Sequence, residues 1–159
     1  MYQPIVLITI VCYTEFGANT AFWIMWLPAI SLKEEGLTMA KILTVDDAAF
    51  MRRIIKTTLR KAGYTEIYEA VDGVQAIEKY NQLKPNLVLM DITMPNMNGL
   101  NALKAIRAAD PNANVVMCTA MGQESMVIEA IRSGAKDFIV KPFKPERILN
   151  MVSSIIGNP

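Results

Sequence analysis

The 159-residue sequence contains no histidine. That excludes Ser-His-Asp and Cys-His catalysis, every histidine-bearing metal site and a phosphohistidine donor within the chain itself. Cysteine is almost as scarce. Cys12 and Cys118 stand far apart with no CxxC pair, so a zinc ribbon and a thioredoxin-type motif are excluded. An excess of one charge is also missing: 16 basic residues face 15 acidic ones, a net charge of +1. Nothing therefore points to a polyanion bound through bulk charge. Internal repeats and low-complexity tracts are absent. What the chain does have is 52% hydrophobic residues, which excludes intrinsic disorder, and enough length for one domain with a real core. The chemistry left open is that of carboxylates, hydroxyls and lysines.

Composition changes near residue 39. Only one of the basic residues (Lys33) and three of the acidic ones (Glu15, Glu34, Glu35) precede Met39, which leaves 15 against 12 in the remainder. Residues 1–38 carry two apolar blocks, Ile5 to Tyr13 and Ala21 to Leu32, separated by Glu15, Gly17 and Asn19. No basic residue precedes the first block, which disfavours a secretory signal. Each block is too short to span a membrane alone, since a span needs about 20 apolar residues, and joining them buries Glu15 and Asn19. Lys33-Glu34-Glu35 can be encoded as a purine-rich ribosome-binding sequence a few nucleotides before the codon for Met39. The expectation is that Met39 initiates the protein and that residues 1–38 are mis-assigned upstream translation. A membrane anchor is the alternative.

From Lys41 onward, strands and helices alternate five times. The expected strands are Lys41–Val45, Glu66–Ala70, Leu87–Met90, Val115–Cys118 and Asp137–Val140. The expected helices are Ala49–Lys61, with Phe50, Ile54 and Leu59 as its apolar spacing, then Val74–Leu83, Leu100–Ala109, Gln123–Arg132 and Glu146–Ile156. Such alternation implies βαβ units, right-handed crossovers and a parallel sheet covered on both faces. Five units in this length predict an α/β, flavodoxin-like doubly wound (βα)5 domain over residues 39–159, with strand order 2-1-3-4-5.

The carboxyl ends of four of these strands are polar. Asp46 and Asp47 follow the first strand, Asp91 the third, Thr119 the fourth and Lys141 the fifth. Ligands of open α/β sheets bind at this edge, at the switch point between strands 1 and 3. Three of the chain's six aspartates converge there. Close carboxylates repel, and a hard divalent cation with oxygen ligands relieves that repulsion. A hydroxyl and an ammonium opposite the metal suit phosphoryl oxygens. The edge thus reads as a place where a carboxylate receives phosphate. Taken singly, Asp47 could be a helix N-cap, Lys141 a solvated lysine and Thr119 an ordinary β-branched strand residue. Their coincidence on one edge favours the functional reading.

Val45-Asp46-Asp47, the run Met90-Asp91-Ile92-Thr93-Met94-Pro95-Asn96-Met97-Asn98-Gly99, Thr119-Ala120 and Lys141-Pro142-Phe143 together resemble the receiver domain of bacterial two-component response regulators, and most of all the single-domain regulators of chemotaxis. The resemblance covers Met39 to about Ile156. It implies that Asp91 is the phosphoacceptor, with Asp47 and Asp91 holding Mg2+ (or Mn2+) directly, Asp46 largely through water and Thr93 through its backbone carbonyl. It further implies that Thr119 and the Ala120 backbone bind the phosphoryl group, that Lys141 pairs with it, and that Thr119 and Phe138 form a switch. Lys141-Pro142 is expected to be cis. Neither Thr93 nor Met121, positions where the family varies, is an acid or an amide here.

The implied protein is a cytoplasmic phosphoacceptor that catalyses its own phosphotransfer and dephosphorylation and is not otherwise an enzyme. Its implied partners are a histidine kinase of the chemotaxis type, a flagellar motor switch protein or other output protein, and an aspartyl-phosphate phosphatase, with no nucleic acid and no membrane. A phosphorelay carrier that passes phosphate to another histidine-containing protein is the alternative within the class. A flavin carrier on the same fold wants a phosphate loop after strand 1, where Asp46-Asp47 would repel it. A haloacid-dehalogenase phosphatase wants an Asp-x-Asp motif there, and these aspartates are adjacent. With three residues after the last expected helix, a DNA-reading output domain is not expected.

Overall fold

The computed structural model describes residues 39–159. The leader assigned to residues 1–38, as upstream translation or as an anchor, lies outside the described residues. The elements run β1 (Ile42–Val45), α1 (Ala49–Lys61), β2 (Ile67–Ala70), α2 (Gly73–Leu83), β3 (Leu87–Asp91), α3 (Gly99–Ala109), β4 (Val115–Thr119), α4 (Glu124–Arg132), β5 (Asp137–Val140) and α5 (Pro145–Ile156). Each bound lies within one residue of its expected position. The five strands form one parallel sheet in the order β2-β1-β3-β4-β5, as the alternation predicts. No helix among the described residues is long and apolar enough to cross a membrane.

Side chains alternate across a strand, so each strand feeds two cores. Leu43, Val45, Val88, Met90, Val115 and Met117 face α2, α3 and Ala130 of α4. Ile42, Leu87, Leu89, Val116, Cys118 and Ile139 face α1 and α5, meeting Ile55, Leu59, Ile148 and Val152. The central β3 and β4 are buried throughout, whereas β5 at the sheet edge is largely accessible. This is the doubly covered arrangement that near-continuous apolar strands require.

The helical spacing expected for α1 is corrected at its first residue. Phe50 is 72% exposed, and the buried face of α1 consists of Ile55, Thr58 and Leu59. The cause is helical phase. At about 100° per residue, Phe50 lies on the side of the helix opposite Leu59. Phe50 and Ile54 instead line a groove with Pro145 and Leu149 of α5.

Thr44, in the middle of β1, is fully buried, and its hydroxyl has no hydrogen-bond partner among the described residues. A desolvated hydroxyl without a partner costs about 1 kcal/mol or more. Thr44→Val replaces it with a methyl of nearly the same shape. We expect this variant to be more stable by about 1 kcal/mol, read as a higher urea midpoint with an unchanged denaturant slope. A lower midpoint would show that the hydroxyl does serve the fold.

Candidate functional site

Parallel strands that start level end level, so the register sets the site. Val45 pairs with Met90, which brings Asp46 beside Asp91. Asp91 pairs with Cys118 and Thr119 with Val140, so Thr119 and Lys141 follow on the same edge. Asp46, Asp47 and Asp91 can each place a carboxylate oxygen within 4.8 Å of the others. Asp46 and Asp91 are buried and Asp47 is exposed. Three hard oxygen donors with one open flank suit Mg2+, which keeps several of its waters.

Asp47 is not a helix cap. The N-cap position of α1 is Ala48, which receives no side-chain cap, and its N–H donates to Asp46 Oδ1 at 2.9 Å. The Asp47 carboxylate is thereby left at the rim. Arg52 fixes this turn from within α1, donating through Nη1 to the carbonyls of Asp46 at 2.7 Å and Asp47 at 3.2 Å. Glu69 on β2 holds Arg52 through Nε at 3.2 Å. These two residues carried no sequence signal, because their role depends on where the loop lies.

Lys141 reaches across the site. Its Nζ lies 2.7 Å from Asp46 Oδ2 and 3.0 Å from Asp91 Oδ2. Burial pushes the Asp91 carboxyl above the ordinary range, with the Lys141 charge opposing it. Burial also works against the Lys141 ammonium, but the bonds and charges of Asp46 and Asp91 outweigh it and raise its pKa. The Lys141-Pro142 peptide bond is cis, as the resemblance implies. Burial pushes the Cys118 thiol up to about 12, which leaves it inert at neutral pH beside the acids.

The loop after Asp91 is shaped by Gly99 and two asparagines. A Cβ on Gly99 would lie 1.9 Å from the Asp91 carbonyl oxygen, so only glycine permits this approach. The Gly99 N–H donates to the Ile92 carbonyl at 2.9 Å. Asn98 caps α3, accepting from the Asn101 N–H at 2.9 Å. Asn96 takes a left-handed conformation and donates to Asp72 at 2.8 Å. Thr93 is left exposed at the mouth of the site.

Thr119 is buried at the end of β4. Its hydroxyl lies 2.8 Å from Gln123 Oε1, which also accepts from the Ala120 N–H at 2.9 Å. Gln123 Nε2 donates to Thr93 Oγ1 at 2.9 Å. Expected as the first residue of a helix, Gln123 stands instead at the N-cap of α4, and its side chain makes no cap bond. The site therefore holds an amide two residues beyond Met121. Phe138 is half-buried on β5 and lines a cavity of about 510 Å³ with Thr119, Met121, Val127, Ile128 and Val140.

Residues 42–153 match the family described as the response regulator receiver domain. The chain belongs to that family. It is 56% identical over 115 residues to the chemotaxis protein CheY of Thermotoga maritima, a match covering 72% of this chain and 96% of that protein. The CheY of Bacillus subtilis is 55% identical over 117 residues, covering 74% and 98%. Among solved structures, the CheX–CheY–BeF3–Mg complex of Borrelia burgdorferi aligns with a TM-score of 0.69 at 36% identity, covering 73% of this chain and 88% of that one. This receiver domain is therefore closely related to CheY. Its kinship is consistent with a response regulator of chemotaxis, and its aspartate cluster is one that could hold a metal ion.

Proposed function

We propose that this receiver domain is a single-domain chemotaxis regulator that takes a phosphoryl group on Asp91 and signals by binding a protein partner. The convergence of Asp46, Asp47 and Asp91 with Thr119 and Lys141 on one strand edge carries this reading. The CheY relatives, matched over nearly their whole length, support the single-domain part. Residues 39–159 would carry the function.

In the proposed transfer, an Asp91 carboxylate oxygen attacks the phosphorus of a phosphohistidine on a CheA-like kinase. The O–P bond forms as the N–P bond breaks, and the leaving imidazole takes up a proton. Asp47 and Asp91 would hold Mg2+ (or Mn2+) directly, Asp46 through water, and the Thr93 carbonyl would add a further ligand. The ion supplies positive charge that offsets the carboxylates and the incoming phosphoryl oxygens. Lys141 would turn from Asp46 and Asp91 to the phosphoryl group as a point charge, and Thr119 with the Ala120 N–H would donate to its oxygens. Water attack on the acyl phosphate, assisted by a phosphatase partner, would reset the protein.

The output we propose is a flagellar motor switch protein. Drawing the Thr119 hydroxyl toward the phosphoryl group opens space beside the 510 Å³ cavity, and Phe138 turns into it. The face formed by α4, β5 and α5 then changes. Such a shift needs a few kcal/mol of differential stabilisation between two states. The test is the affinity for the motor switch protein with and without beryllium fluoride and Mg2+, for wild type and Thr119→Ala. The expected result is tighter binding of the mimic-loaded wild type, with most of that gain lost in Thr119→Ala. An equal gain in both proteins would remove the hydroxyl from the coupling, and no gain in either would overturn the output.

A further inference from the structure

Gln123 joins three groups of the site through one side chain. Its carboxamide oxygen accepts from Thr119 Oγ1 at 2.8 Å and from the Ala120 N–H at 2.9 Å, and its nitrogen donates to Thr93 Oγ1 at 2.9 Å. The Thr119 hydroxyl has one proton to donate, with Gln123 Oε1 at 2.8 Å the nearer acceptor and the Ala120 carbonyl at 3.1 Å the farther, and the Ala120 amide has one proton as well. These are the donors assigned above to the phosphoryl oxygens. An oxygen that takes both bonds stands where a phosphoryl oxygen would make them, so the two cannot be satisfied together.

We propose that Gln123 is a positioning residue whose carboxamide oxygen occupies the phosphoryl-oxygen subsite until a phosphoryl group displaces it. The proposal rests on the reading of Asp91 as the phosphoacceptor. Gln123 does two things in this role. It keeps the Thr119 hydroxyl and the Ala120 amide aimed at the site, where solvent would otherwise compete for them. It also sets the threshold for phosphoryl binding, because its bonds are broken when theirs form. The Gln123 carbonyl accepts from the N–H groups of Met126 and Val127, at 3.0 and 3.1 Å. The residue whose side chain would be displaced thus also carries the backbone carbonyl that starts α4.

The test is beryllium fluoride affinity in the presence of Mg2+, measured by tryptophan-independent calorimetry on the full chain. Gln123→Ala removes the competitor, and we expect affinity to rise about 3- to 10-fold, the size of one exchanged hydrogen bond. Gln123→Glu keeps an acceptor and adds negative charge beside the mimic, and we expect affinity to fall at least about tenfold. In metal-free protein, the Ala120 amide should exchange with solvent faster in Gln123→Ala. A purely structural role predicts weaker binding in both variants, because both would loosen the α4 entry. Wild-type binding with no change, or with a loss, in Gln123→Ala would overturn this proposal alone. No binding by wild type would overturn the Asp91 reading and this proposal with it.

Discussion

Asp91→Asn is expected to reduce acid-labile phosphate uptake from acetyl phosphate to background while the fold survives. The amide is nearly isosteric with the carboxylate, but it has no anionic oxygen to attack phosphorus and contributes no charge to a cation. The stability of the same variant separates chemistry from folding. Burial raises the Asp91 carboxyl pKa. A carboxyl raised in the folded state binds its proton more tightly there than in the unfolded chain, so stability falls as pH rises from the unfolded pKa through the higher folded one and stays lower above it. Without metal at neutral pH, Asp91→Asn should therefore be at least as stable as wild type by urea denaturation. Full phosphate incorporation into a folded Asp91→Asn protein would move the acceptor elsewhere.

Lys141→Met is expected to be the most destabilising substitution in the site when no divalent cation is present. Lys141 bridges Asp46 and Asp91, whose side chains are only 2% and 11% exposed. Methionine keeps the length of the stem and removes the charge. Two buried carboxylates then face one another without a countercharge, and losing one member of such a group costs about 3 kcal/mol. Burial already raises the Asp91 carboxyl, and removing the Lys141 charge that opposes this makes Asp91 hold its proton to higher pH. The variant's stability should therefore fall as pH rises through that range, the sign expected for a raised folded pKa. Millimolar Mg2+ should restore much of the loss, because the cation replaces the missing charge and binds the folded state alone. Urea midpoints with Mg2+ and with chelator check this. The same deficit in both would show that Lys141 acts through packing of its stem rather than through charge.

The positions of the acids, Thr119 and Lys141 were legible in the sequence because each sits just beyond a short, mostly apolar run. Parallel strands joined by right-handed crossovers must end on one side of the sheet, so a local pattern became a spatial one. The aromatic at Phe50 shows where that reasoning stops. It is apolar and lies in the right helix, but on the wrong side of it, and only the packing of α1 on the sheet selects Ile55, Thr58 and Leu59 for burial. Gln123 was invisible for a related reason. At the start of a helical pattern it reads only as a helix residue, and its bond to Thr93 crosses to a loop 30 residues away in sequence.

The amino-acid sequence by itself determined the five βα units and the placement of Asp46, Asp47, Asp91, Thr119 and Lys141 at strand ends, since these follow from short-range periodicity. The tertiary structure alone decided which charges pair. Lys141 on Asp46 and Asp91, Arg52 on Glu69, and Gln123 on Thr93 each join segments brought together by packing. A hydrogen bond or ion pair is made over about 3 Å, and no spacing along the chain sets a distance that short between elements far apart in sequence.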